Sequence, residues 1–178
     1  MAVHAHPDDE SSSTGGILAR YSDEGIRTVV VTCTNGEFGD GPGGIKPGAD
    51  GHDPDDVARI RRDELERATE ILGVTHLEML GYHDSGMPDW EYKDRADVFC
   101  NVPLEESEAR ITTEVDVTAY VDQKREALAT HASQIAESWF GKLPSEAYRT
   151  MFGTETFIRA HDTTGAAVPE DDLFAGLR

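Results

Sequence analysis

The chain has 178 residues, close to one domain's worth and enough to bury a real core. Sixteen Lys and Arg stand against 35 Asp and Glu, a net charge of −19 at pH 7, so the long-range field repels polyanions and makes nucleic acid and anionic membranes poor partners. The 29% of charged residues are interspersed with apolar positions, unlike a disordered acidic tail, and the chain is expected to fold. No apolar run approaches the roughly 20 residues of a spanning helix, and residues 1–9 carry neither the basic start nor the apolar stretch of a secretory signal. Two cysteines, Cys33 and Cys100, cannot build a disulfide framework or a Cys-rich zinc site. The expectation is a reduced, cytoplasmic protein with no membrane partner.

Met1 to Ala5 reads as a short buried strand. A helical run follows over Gly15–Tyr21, with a C-cap at Gly25. Thr28 to Thr34, β-branched and almost wholly apolar, is the clearest strand. Strand, helix and strand form a βαβ unit. Residues 35–54 are rich in Gly, Asp and Pro without apolar periodicity, too long for a plain connector, and are taken as a functional loop. Asp53 and Pro54 suit an N-cap and first helical position, and Val57, Ile60, Leu65, Ala68 and Leu72 recur at helical spacing until Gly73. His76 to Leu80 is a third strand and 81–88 the loop leaving it. Ile111 to Val115 alternates like a strand, and an apolar stripe from Val117 to Ile135 predicts one helix reaching about Ser138. The tail from Gly153 is turn-rich with a Phe157-Ile158 anchor. This order implies an α/β architecture: a Rossmann-like, largely parallel sheet with flanking helices, whose ligands gather at the carboxyl ends of the strands.

Ala5-His6-Pro7-Asp8-Asp9-Glu10 follows the first strand. A catalytic zinc takes N and O ligands, with an open position for water. His6 and Asp9 are candidates for two of them, and Asp8, between them, for a general base acting on the bound water. The competing reading is an ordinary polar turn, with Asp9 or a nearby serine as N-cap. Residues 36–44 are glycine-rich but lack the Gly-Lys-Ser/Thr end of a phosphate loop. Ser11-Ser12-Ser13 lie outside any nucleophile-elbow pattern, and Cys33, inside a buried strand, is expected to be inert.

Ala5–Glu10, Thr32-Cys33-Thr34-Asn35-Gly36-Glu37-Phe38-Gly39, Arg61-Arg62-Asp63-Glu64-Leu65 and Leu80-Gly81-Tyr82-His83-Asp84-Ser85-Gly86-Met87 resemble, in order, the landmarks of the PIG-L/LmbE-like zinc deacetylases. Trp139-Phe140 and residues 169–177 look most like the mycothiol S-conjugate amidase branch. The resemblance implies a zinc (Zn2+) held by His6 and Asp9, Asp8 as general base, and Glu37, Arg61 and Asp84 around a sugar-binding pocket. It implies hydrolysis of an amide on glucosamine in a small-molecule amino-sugar thiol conjugate. Family members also carry a His-Pro-Asp-His string supplying the third zinc ligand, and none stands in this sequence. Leu104-Glu105-Glu106 runs directly into Ser107-Glu108-Ala109. The resemblance thus implies one domain over 1–178 with a shortened middle near Glu106–Ser107, lacking the third ligand, an oxyanion-stabilising histidine and a core strand. The activity of such a chain is expected to be low or absent, with a catalytically inactive binding protein as the alternative. A sheet edge bared by a missing strand would invite self-association, though the oligomeric state is not legible. Among the remaining histidines, His83 is the most plausible local third ligand. His4 is expected to point away from the loop, His52 to be solvated, His76 to be remote, His131 to be a packed or capping helix residue, and His161 to lie on the surface.

Overall fold

The computed structural model describes residues 1–86, 112–135, 138–139, 142–157, 159 and 163–177. The Glu106–Ser107 junction, the strand start at Ile111, Ile158 and His161 fall outside them. The first three strands, β1 (Ala2–His4), β2 (Val29–Thr34) and β3 (His76–Tyr82), form one parallel sheet in the order β1-β2-β3. Ala2 pairs with Val30 and His4 with Thr32; Val30 pairs with Leu77, and the β2–β3 register shifts between Thr32 and Thr34. The α/β class expected from the alternating pattern is the one observed.

Helix α1 (Asp9–Asp23) begins six residues earlier than the Gly15 start that apolar spacing suggests, because its first turn is built from buried polar groups, Glu10 and Ser11 among them. Its N-cap is Asp8, with no side-chain cap bond, so neither Asp9 nor a serine takes that role. Helix α2 (Pro54–Ile71) is capped as its sequence predicts: the Asp53 carboxylate accepts from the backbone N–H groups of Asp55 and Asp56. Its inner face carries Val57, Arg61, Glu64, Leu65 and Ala68, the helical spacing of a buried stripe. Leu18, Ala19, Val30, Ala68, Leu72 and Ala127 make the core between α1, α2 and the sheet.

The stripe from Val117 onward does not form one helix. A 3-10 turn at Thr118–Tyr120 leads into α3 (Val121–Thr130), His131 leaves helical geometry with ψ 47°, and α4 (Ala132–Ile135) resumes for four residues. The predicted turn-rich tail also holds a strand: α5 (Ser145–Phe152) precedes β5 (Thr154–Phe157), which pairs antiparallel with β4 (Thr113–Asp116) in a separate two-stranded sheet. This two-stranded sheet is fastened to α1 by Glu155, whose carboxylate accepts from Gly16 N, Ile17 N and Lys124 Nζ at 2.8–2.9 Å. Gly16 permits the close approach, since a Cβ there would lie 2.5 Å from Val117 Cγ2. No helix among the described residues is long and apolar enough to cross a membrane.

Candidate active site

The loops leaving β1, β2 and β3 meet at the carboxyl end of the sheet, tied by backbone bonds from Thr34 N to Ala5 O and from Asn35 N to Tyr82 O. They enclose a cleft of about 570 Å³ lined by His6, Asp8, Phe38, Gly39, Asp40, Lys46, Arg61, Asp84, Gly86 and Gln134. That volume suits a small ligand. The 35–54 segment contributes four lining residues, in keeping with its reading as a functional loop, although Pro42–Gly44 forms a short 3-10 turn within it.

Asp8 sits at φ 112°, the one described non-glycine residue with positive φ, a conformation that persists only where its surroundings impose it. Its N–H donates to Glu10 Oε2 at 2.9 Å, and its carbonyl accepts from Ser11 N and Ser12 N. Its carboxylate meets Arg61 Nη2 at 3.0 Å. Arg61 is 4% exposed and also donates to Pro7 O and Gly36 O at 2.5 and 2.8 Å, so one guanidinium joins the β1 and β2 loops. Arg61 therefore points inward from α2 to the cleft. Burial pushes the Asp8 carboxyl up to about 6, with the Arg61 charge opposing the rise.

His6 stands between two carboxylates, with Nε2 3.3 Å from Asp84 Oδ1 and Nδ1 3.7 Å from Asp9 Oδ2. The bonds to Asp84 and then Asp9 push the imidazole up to about 10 against the opposing effect of burial. Burial raises both Asp9 and Asp84, but His6 outweighs it and holds each below the usual carboxylate range. Asp84 therefore lines the cleft while bonded to His6. Glu37, buried beside that loop, accepts from Asp84 N at 3.2 Å and pairs with His83 Nδ1 at 2.7 Å. Its Oε2 is buried with no partner among the described residues.

The zinc implied by the resemblance was tested against these donors. His6 Nδ1 and Asp9 Oδ2 are close enough to share an ion, but no group of three His, Cys, Asp or Glu side chains among the described residues is placed to hold one. The donor set is one short of the usual three, and the described residues do not fit a complete zinc centre. No other described histidine fills the gap: His4 bonds Thr14 Oγ1, His52 bonds Gly39 O, His76 lies beside Glu78, and His83 is taken by Glu37. His52 is thus a loop tie rather than a solvated residue. His131 is both packed and capping, as expected: it is the C-cap of α3, its N–H donating to Leu128 O. It is fully buried, with Nε2 2.7 Å from Glu10 Oε1.

Neither Glu10 nor its pairing with His131 was singled out from sequence. The contact spans 121 positions, and the local signal was limited to a glutamate and a histidine in otherwise well-packed helical runs. Bonds from His131, Ser11 and Asp8 N hold the Glu10 carboxyl below its ordinary value although burial alone would raise it. Cys33 is buried, and its thiol is pushed up by that burial.

The α/β sheet with its three-loop cleft is matched in sequence as well: the PIG-L family model, GlcNAc-PI de-N-acetylase, covers residues 1–135, and the chain belongs to that family. Among its relatives, a mycothiol S-conjugate amidase of Streptomyces coelicolor is 47% identical over 91 residues, covering 50% of this chain and 30% of the relative. A 1D-myo-inositol 2-acetamido-2-deoxy-alpha-D-glucopyranoside deacetylase of Saccharopolyspora erythraea is 33% identical over 171 residues, covering 94% of this chain and 52% of the relative. The chain therefore spans about a third to a half of the length of these curated relatives. The N,N'-diacetylchitobiose deacetylase of Pyrococcus horikoshii shares the fold, with a TM-score of 0.61 at 18% identity over 88% of this chain and 82% of that one.

Proposed function

We propose that the cleft binds the amino-sugar part of a small-molecule amide and that Asp8 is the general base of a PIG-L-type amidase or deacetylase reaction. The observation that carries this reading is the Asp8 carboxylate, held in a strained backbone conformation and paired with buried Arg61 at the cleft wall. Backbone strain of this kind concentrates where geometry serves function. In this reading Asp8 takes a proton from the attacking water, and Arg61 orients the carboxylate. Asp84, Glu37 and Arg61 form the sugar side. His6 and Asp9 offer two donors to a divalent ion, zinc by family resemblance, and with two protein donors its affinity is low. Hydrolysis by this chain is correspondingly slow. The names of the amidase and deacetylase relatives support two substrates, a mycothiol S-conjugate and an N-acetylglucosaminyl inositol.

The test is zinc content and amine release on the purified full chain with both substrates, for wild type and Asp8→Asn. The expected result is less than one zinc per chain and slow turnover that Asp8→Asn abolishes. Near-stoichiometric zinc with turnover matching full-length relatives would overturn the two-donor account, and an unaffected Asp8→Asn would overturn the base assignment. The donor count also favours a second reading, a binding protein without turnover. Saturable N-acetylglucosamine binding with no amine release from either substrate selects it.

A further inference from the structure

The Asp8 conformation is not self-supporting. Its N–H is held by Glu10 Oε2 at 2.9 Å, and the other oxygen of that carboxylate accepts from Ser11 Oγ at 2.5 Å and meets His131 Nε2 at 2.7 Å. Glu10 and His131 are both 0% exposed. His131 stands where α3 breaks before α4; its N–H donates to Leu128 O, and its carbonyl accepts from Gln134 N and Ile135 N. The ring Nδ1 is buried without a partner among the described residues, so Glu10 is the side chain's polar tie. The neighbouring residues of the same elbow hold other parts of the cleft. Ser133 donates from N and Oγ to Glu64 on α2, and Gln134 exchanges bonds with the backbone of Asp40.

We infer that His131 is a positioning residue for Asp8, acting through Glu10 to hold the Asp8 backbone in the conformation that places its carboxylate beside Arg61 at the cleft. The role of Asp8 as base rests on the proposed function; the mechanical link does not. A hydrophobic side chain at 131 would fill the same space but leave Glu10 Oε1 held only by the adjacent Ser11 Oγ, without the tie to the α3–α4 elbow that keeps the carboxylate on Asp8 N. A buried carboxylate pinned at both oxygens is a stiff connector, which an apolar contact at that point is not.

The test uses the 15N-labelled full chain and follows exchange of the Asp8 amide proton, referenced to core amides of β2. His131→Leu is expected to speed Asp8 exchange by roughly tenfold or more relative to the core. His131→Gln, whose amide can still donate to Glu10, restores it to within about threefold of wild type. Ser133→Ala, which cuts the tie to Glu64, lowers the unfolding midpoint and leaves the Asp8 amide unchanged. Should His131→Leu fail to fold, Glu10→Gln carries the same reading, since a carboxamide has one acceptor oxygen and cannot accept from both Asp8 N and His131 Nε2. An Asp8 amide that keeps its relative protection in both His131→Leu and Glu10→Gln, or that is lost equally in Ser133→Ala, would show an ordinary core contact and overturn the proposal. These outcomes are read without substrate or metal. Loss of turnover in the wild type therefore bears on the proposed function, and a retained Asp8 amide bears on this one.

Discussion

The two corners of the cleft are built in opposite ways. At the Asp8 corner the supports are buried and tied: Arg61, 4% exposed, is bonded to three acceptors, and Glu10, 0% exposed, is clamped between Asp8 N and His131, while the Asp8 carboxylate itself is 26% exposed. At the His6 corner the side chains of His6 and Asp9 are 38% and 35% exposed, and their contact is a loose 3.7 Å. The difference teaches that the fold by itself fixes the carboxylate proposed as general base, whereas the corner proposed for an ion presents two partly exposed donors.

The comparison breaks most directly at Arg61. Arg61→Met strips the cation from Asp8 and unties Pro7 and Gly36; breaking a fully buried pair costs roughly 3–5 kcal/mol, and with Asp8 26% exposed the expected loss is at the lower end, about 3 kcal/mol. Urea unfolding should show a loss of that order. A loss below about 1 kcal/mol would place the pair among ordinary surface bridges and undo the contrast.

Gly36→Ala attacks the same corner from the backbone. Gly36 has φ +66°, and a Cβ there would lie 2.5 Å from Arg61 Nη1 and 3.0 Å from Pro7 Cδ. Strain plus displacement of the guanidinium should cost on the order of 1–3 kcal/mol, measured by the same unfolding curve. An unchanged midpoint would mean that the Arg61 seat is not tightly constrained.

The His6 corner should respond less in stability and more in ion binding. His6→Ala is expected to cost on the order of 1–2 kcal/mol, because the half-exposed imidazole pairs with exposed Asp9 but also with buried Asp84 at 3.3 Å. Titration calorimetry with zinc chloride should also show at least a roughly tenfold weaker affinity, since one of two protein donors is gone. Equal zinc binding in wild type and variant would place the ion elsewhere.

The smallest effect supplies a baseline remote from both corners. Burial, partly offset by Arg125 and reinforced by Glu155, pushes Tyr148 from 10.0 up to about 12. The unfolded chain therefore loses this proton first, and Tyr148's contribution is intact below pH 10 and falls as pH rises from 10 toward 12. Tyr148→Phe should flatten the decline of stability with pH in that window and leave neutral-pH stability almost unchanged. An unaltered pH slope would show that the buried hydroxyl ionises normally.

How much of this was legible beforehand depended on range. Asp53-Pro54 announced the start of α2 because a cap and an N1 proline are local chemistry. The Thr28–Thr34 run announced a strand because β-branched apolar residues suit an extended, packed backbone, although Val29 and Val31 on one face are only half-buried. The cleft residues His6, Asp8, Arg61 and Asp84 were found through motifs that resemble a family, and they do line one cleft. By contrast, the early start of α1 and the break at His131 defeated periodicity, since polar groups were stabilised there by distant partners. A glutamate at position 10 reads as a helix-start acid until His131, 121 residues away, is brought onto it.

The sequence by itself therefore determined the βαβ order, the acidic character that turns away polyanions, the loop bearing His6, Asp8 and Asp9, and the absence of a His-Pro-Asp-His string, because each is a matter of residue type and near spacing. Tertiary structure decided that Arg61 points inward, that Asp84 and Asp9 flank His6, and that the Glu10–His131 link braces Asp8. Those outcomes follow from burial: a charged group removed from water must find a partner, and which partner it finds is set by how the three loops and the α3–α4 elbow converge.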